Sequence, residues 1–243
     1  MQSRPLAFSL TCVGLFGCQE PDLPEVVWRG EVIDFAATSL DDVCGESLEW
    51  TDARAAALQA VFAPATRERI DYFWIPDLWE DHAWCSAGNG ACTINERILT
   101  PSVPDEHEMV HAIRRERLPA VFEEGLASMF GDIGWARYPA SRERLLEILE
   151  SSDPVDFADY ARAGHFVSFL IERDGLDTLA ELASMSSYDD SIARVRDSFE
   201  QVYGVSLTQV LDEYSSYPEC VDLAWKDRRI ACSGEATEVL EPA

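Results

Sequence analysis

Hydrophobic and polar positions follow extended-type patterns in the first part of this chain and helical spacing in the rest, with the change near Pro104. VVWRGEVIDFAAT, from Val26 to Thr38, is rich in β-branched and aromatic residues and predicts a first strand. An Ala-rich run from Trp50 to Phe62 predicts a helix that Pro64 stops. RIDYFWIP (Arg69 to Pro76) predicts a second strand, and ACTINERILT (Ala91 to Thr100) alternates as a third. Beyond Pro104 the pattern is helical almost without interruption. PDEHEMVHAIRRE places a proline and acidic residues in a first turn, where a helix N-terminus favours them. LPAVFEEGLASMF opens on Pro119, SRERLLEIL on the N-cap candidate Ser141, and YARAGHFVSFLIERDG closes at Gly175. Further helices are expected through LDTLAEL, SIARVRDSFEQVYG and SLTQVLDEY. Strands first and helices after predict an α+β fold. A small mixed or antiparallel sheet with helices spans 26–103, a helical region 104–217, and a cysteine-containing tail 218–243.

The ends of the chain add a compartment. MQSRPLAFSLTCVGLFGC carries Arg4 ahead of a short apolar run, too short to span a bilayer, and reads as an export signal over 1–18. Leu15-Phe16-Gly17-Cys18 resembles a bacterial lipobox, which implies lipidation at Cys18; an ordinary secretory signal cut nearby is the alternative. Residues 19–25, QEPDLPE, form a polar tether. The protein is therefore expected in the bacterial cell envelope, periplasmic or at the cell surface, touching a membrane only through that lipid. Lys+Arg 19 against Asp+Glu 45 gives a net charge of -26, a field that repels nucleic acids and anionic lipid surfaces. An oxidising compartment permits disulfides. Cys85 and Cys92 bracket SAGNGA and Cys220 and Cys232 a second short segment, so each set is a candidate pair. Cys44 is left over and could displace a partner in either. No CxxC is present, which argues against a structural zinc knot.

The chemistry concentrates in HEMVH. Of only four histidines, His107 and His111 stand one helical turn apart and share a face. Both imidazoles can reach one ion, and Glu108 beside the first can act as general base on a metal-activated water. A third ligand is required. The HExxHxxGxxH arrangement is excluded, because Arg114 and Arg117 stand where its Gly and His belong. His82 and His165 are far away in sequence, so a carboxylate is favoured over either as the third ligand.

LPAVFEEGLASMF resembles the second zinc helix of gluzincin metallopeptidases, whose short form reads P-x-x-hydrophobic-x-EG-hydrophobic-A. The resemblance implies a zincin-like region in which Glu124 joins His107 and His111 around one Zn²⁺. Glu123, the competitor, points about 100° away on a helix. DYARAGHF resembles the family's Y-x-K-G pattern with one residue more before the Gly and no Lys. It makes Tyr160 the candidate oxyanion donor, with His165 as rival. Two departures stand out. Ser128 occupies the place of an Asp that orients the first zinc histidine in thermolysin-like members, and Pro104-Asp105-Glu106 precede the motif where the family carries apolar residues. The family's edge strand, which pairs with extended substrate, would be Ala91 to Thr100. The implied function is an exported zinc metallopeptidase hydrolysing peptides or proteins. The alternative is a cell-surface protein that keeps the fold and binds without turnover.

Overall fold

The computed structural model describes residues 23–41, 43–62, 69–78, 85, 90–94, 96–114, 117–131, 139–151 and 154–217. The export signal, Cys18, His82 and the tail with Cys220 and Cys232 lie outside them. No described helix is long and apolar enough to cross a membrane.

The segment expected as one strand from Val26 to Thr38 is two, β1 (Val26–Arg29) and β2 (Ile33–Ala36). The turn between them closes on a carboxylate from the helix α1 (Gly45–Phe62). Asp52 accepts the amides of Glu31, Val32 and Ile33 at 2.7, 2.8 and 2.8 Å. Gly30 makes room for it, since a Cβ there would fall 2.2 Å from Asp52 Oδ1. The second strand is β3 (Ile70–Trp74). The third is a hairpin, β4 (Cys92–Ile94) and β5 (Arg97–Thr100), with Glu96 at φ 68 in its turn. The sheet order is β1-β2-β3-β5-β4. Both outer pairs are antiparallel and the inner pairs parallel, so the sheet is mixed.

Alternation along the central strands serves two apolar layers. Ile33, Phe35, Tyr72 and Ile98 join the main core with the helices, while Ala36, Phe73 and Leu99 pack with Leu78 and Cys85 in a smaller cluster on the other face. Burial on both faces is why Tyr72, Phe73 and Trp74 follow one another without a polar residue between them. The Cys85–Cys92 disulfide, Cα–Cα 5.7 Å, joins that smaller cluster to β4. Cys44, left over in the sequence, is itself disulfide-bonded.

The helical region follows as α2 (Glu106–Ile113), α3 (Ala120–Phe130), α4 (Arg142–Glu150), α5 (Phe157–Asp174), α6 (Leu176–Met185), α7 (Ile192–Tyr203) and α8 (Leu207–Tyr214). The polar approach to α2 has a structural purpose. Asp105 caps the helix by accepting Glu108 N at 3.1 Å, and Thr100 at the end of β5 donates to the same carboxylate at 2.6 Å. Arg54 on α1 then ties the start of α2 to the end of α3, through Glu106 at 2.9 Å and the Phe130 carbonyl at 2.6 Å.

Helix α3 lies very close to α5. A Cβ at Gly125 would sit 2.4 Å from Val167 Cγ2 and 2.7 Å from the Ala163 carbonyl oxygen. One at Gly164 would come within 3.2 Å of Ser128 Cβ. The Gly of the EG pair is thus required by helix packing, and Gly164 is what lets α5 pass close to Ser128.

Candidate metal centre

His107 and His111 leave the same face of α2, and Glu124 meets them from α3. The two Nε2 atoms are 3.2 Å apart, and each lies 3.3 Å from Glu124 Oε2. A tetrahedral ion with bonds of about 2.0 Å holds neighbouring ligand atoms about 3.3 Å apart. The three atoms therefore form one face of such a tetrahedron, with the fourth corner left for a small ligand. His111 and Glu124 are buried and His107 half-buried. Two imidazoles and one carboxylate suit Zn²⁺ with an open position, so the residues present fit the ion.

Glu123 turns the other way and meets the far side of the same ring. Its Oε1 lies 3.1 Å from His111 Nδ1, while Oε2 accepts from Arg114 at 2.6 Å and from the Leu118 amide at 3.0 Å. Adjacent positions on one helix thus serve the two nitrogens of one histidine, as their angular separation requires.

Around the triad stand groups suited to proton handling. Thr93 on β4 donates to Glu108 Oε2 at 2.7 Å and lies 3.1 Å from the Glu108 carbonyl. The ring of Tyr160 stacks on His107, centroids 5.1 Å apart and 5° from parallel. Tyr188, between α6 and α7, donates to Glu124 Oε1 at 3.4 Å. Sequence reasoning missed Thr93 and Tyr188, since neither carries a local signal that points to a site 15 and 64 residues away.

The electrostatics follow from this crowding. Burial lifts the Glu108 carboxyl above its usual value, against the opposing pull of His111 and His107. Burial also works to raise Glu124, but the bonds from His107 and His111 outweigh it and hold that carboxylate well below its usual range. For His111 burial works downward, yet the bonds to Glu123 and Glu124 prevail and raise it to about 9. Burial, then the charges of Glu124 and Glu108, push Tyr160 above the ordinary phenol value. Burial and Glu124 raise Tyr188 to about 12. Both phenols keep their protons near neutrality.

His165 does not join this group. It lies inside an aromatic cluster, fully buried, with Nδ1 2.7 Å from the Tyr214 hydroxyl and its ring against Tyr214 and Tyr217. Tyr160 and His165 occupy one continuous helix five positions apart, so their side chains diverge, and the structure brings Tyr160 to the triad. At Ser128 the hydroxyl has no hydrogen-bond partner among the described residues.

The strand margin beside α2 is β4, the outermost in the sheet. Ile94 and Arg97 flank the hairpin turn, so Thr93, opposite Ile98, turns its amide and carbonyl away from β5. Arg117 donates to that carbonyl at 3.0 Å.

No family model, curated protein or solved structure matches this chain.

Proposed function

We propose that this protein is an exported, single-zinc metallopeptidase of gluzincin type, held at the cell envelope by a lipid on Cys18. One observation carries the reading: His107, His111 and Glu124 converge at tetrahedral edge lengths beside Glu108. These three residues would hold the ion. When bound, Zn²⁺ lowers the pKa of a water to about 7 and polarises a carbonyl. Glu108, oriented by Thr93, takes the proton of the attacking water and returns it to the departing amine, so the peptide C–N bond breaks as a C–O bond forms. Tyr160 remains protonated and donates to the oxygen on which charge develops. An extended peptide runs along β4, where the outward amide of Thr93 offers a donor.

Zinc content and hydrolysis of a mixed peptide library, measured on the full chain beside Glu108→Gln, test this. One zinc in both proteins, with turnover in the first and a loss of about 10²–10⁴-fold in the variant, is expected. One zinc with no turnover in either would instead support a zinc-bearing binding protein. No zinc in the unmutated chain would overturn both.

A further inference from the structure

We infer that Glu123 is the positioning residue of the proposed zinc centre, acting through His111 Nδ1 to fix which ring nitrogen faces the metal and where. The inference rests on the zinc reading above and adds to it a residue outside the ligand set. Glu123 is fully buried, and burying a carboxylate is costly unless it is paired and hydrogen-bonded. Its two oxygens divide their partners: Oε1 faces His111 Nδ1, and Oε2 takes the Arg114 guanidinium and the Leu118 amide. Arg114 is the C-cap of α2 and Leu118 precedes α3, so one carboxylate links the end of one ligand helix to the start of the other. The Arg114 guanidinium in turn lies over the Phe62 ring of α1, 5.8 Å from its centroid.

The consequence for His111 is chemical. A neutral imidazole carries one N–H, and a carboxylate facing Nδ1 holds it there. Nε2 then presents its lone pair to the point it shares with His107 and Glu124. Ser128 supplies no carboxylate from the next turn of α3. The residue adjacent to the ligand Glu124 does the orienting, on the second histidine of the motif.

Glu123→Gln separates positioning from mere support for Arg114. A glutamine has one acceptor oxygen, and Arg114 with the Leu118 amide claims it. Its NH₂ then faces Nδ1, forces that atom to accept, and moves the ring proton to Nε2, where it blocks ligation. Zinc affinity of the full chain, by competition with a chromophoric chelator at fixed pH, should fall about 10–100-fold in Glu123→Gln. His111→Ala serves as the reference for loss of a ligand. Zinc-loaded unmutated protein supplies a second reading that needs no variant. In ¹H–¹⁵N spectra, His111 should coordinate through Nε2 and show a slowly exchanging Nδ1–H. Unchanged affinity in a folded Glu123→Gln protein, or coordination through Nδ1, overturns the positioning role and leaves the zinc reading intact. An unmutated chain that takes no zinc overturns both, and His111→Ala is then without effect.

Discussion

Two buried histidines stand in contrasting surroundings. His165 is enclosed by aromatic rings, and the Tyr214 oxygen beside it also accepts the Ala140 amide at 3.1 Å. The group facing His165 Nδ1 is thus a neutral hydroxyl, 2.7 Å away. His111 faces Glu123 with Nδ1 as donor, and its Nε2 is aimed at His107 and Glu124. Both rings are shielded from water, but His111 has a carboxylate at each of its two nitrogens. Burial alone does not mark a functional histidine. A second histidine and two carboxylates on facing helices are what make His111 a candidate metal ligand.

Paired variants would break this contrast most sharply. Tyr160→Phe should lower kcat by about 10²–10³-fold, with zinc affinity and melting temperature nearly unchanged. His165→Ala should do the reverse. It removes a fully buried ring and one partner of the Tyr214 hydroxyl, costs about 1–3 kcal/mol or more of stability, and leaves kcat close to the starting value below the melting transition. Equal kinetic losses in the two, measured by steady-state hydrolysis beside thermal melts, would erase the distinction.

A pH series sharpens it further. In the metal-free protein the folded His111 titrates at about 9, above the ordinary histidine value near 6.5. Its protonation therefore stabilises the fold fully below about pH 6.5, and that contribution is lost as pH rises through about 9. Melting temperature of the metal-free chain should fall across this window, with a slope of at most about 1.4 kcal/mol per pH unit. His111→Ala should flatten the slope and His165→Ala should keep it. Zinc competes with the same proton, so its affinity should climb with pH over the same range.

What was legible in the sequence was local. HEMVH is an i,i+4 pair, and the helical period alone turns Glu124 and Glu123 to different sides, so the candidate triad that the structure brings together could be written down from spacing and resemblance. The contacts of Thr93 with Glu108, Tyr188 with Glu124 and Glu123 with His111 depend on how separate elements pack, which no local pattern encodes. The same limit explains the strand boundaries. Asp52 on α1 converts Val26–Thr38 into two strands, and the left-handed Glu96 folds Ala91–Thr100 into a hairpin.

The smallest expected effect concerns the edge of β4. Arg117 occupies the outward carbonyl of Thr93. Arg117→Ala should free it for an extended peptide and lower KM for long substrates by a few-fold, on the scale of one hydrogen bond of about 0.5–1.5 kcal/mol, without altering kcat. An unchanged KM would place the substrate elsewhere.

The central claim is that His107, His111 and Glu124 form one zinc centre, and X-ray absorption at the zinc edge on the full chain addresses it most directly. The expected spectrum shows nitrogen and oxygen ligands at about 2.0–2.1 Å, outer-shell scattering from two imidazoles and no sulfur, in one equivalent that His111→Ala removes. Sulfur ligation at about 2.3 Å, or a zinc signal that survives the loss of His111, would contradict it.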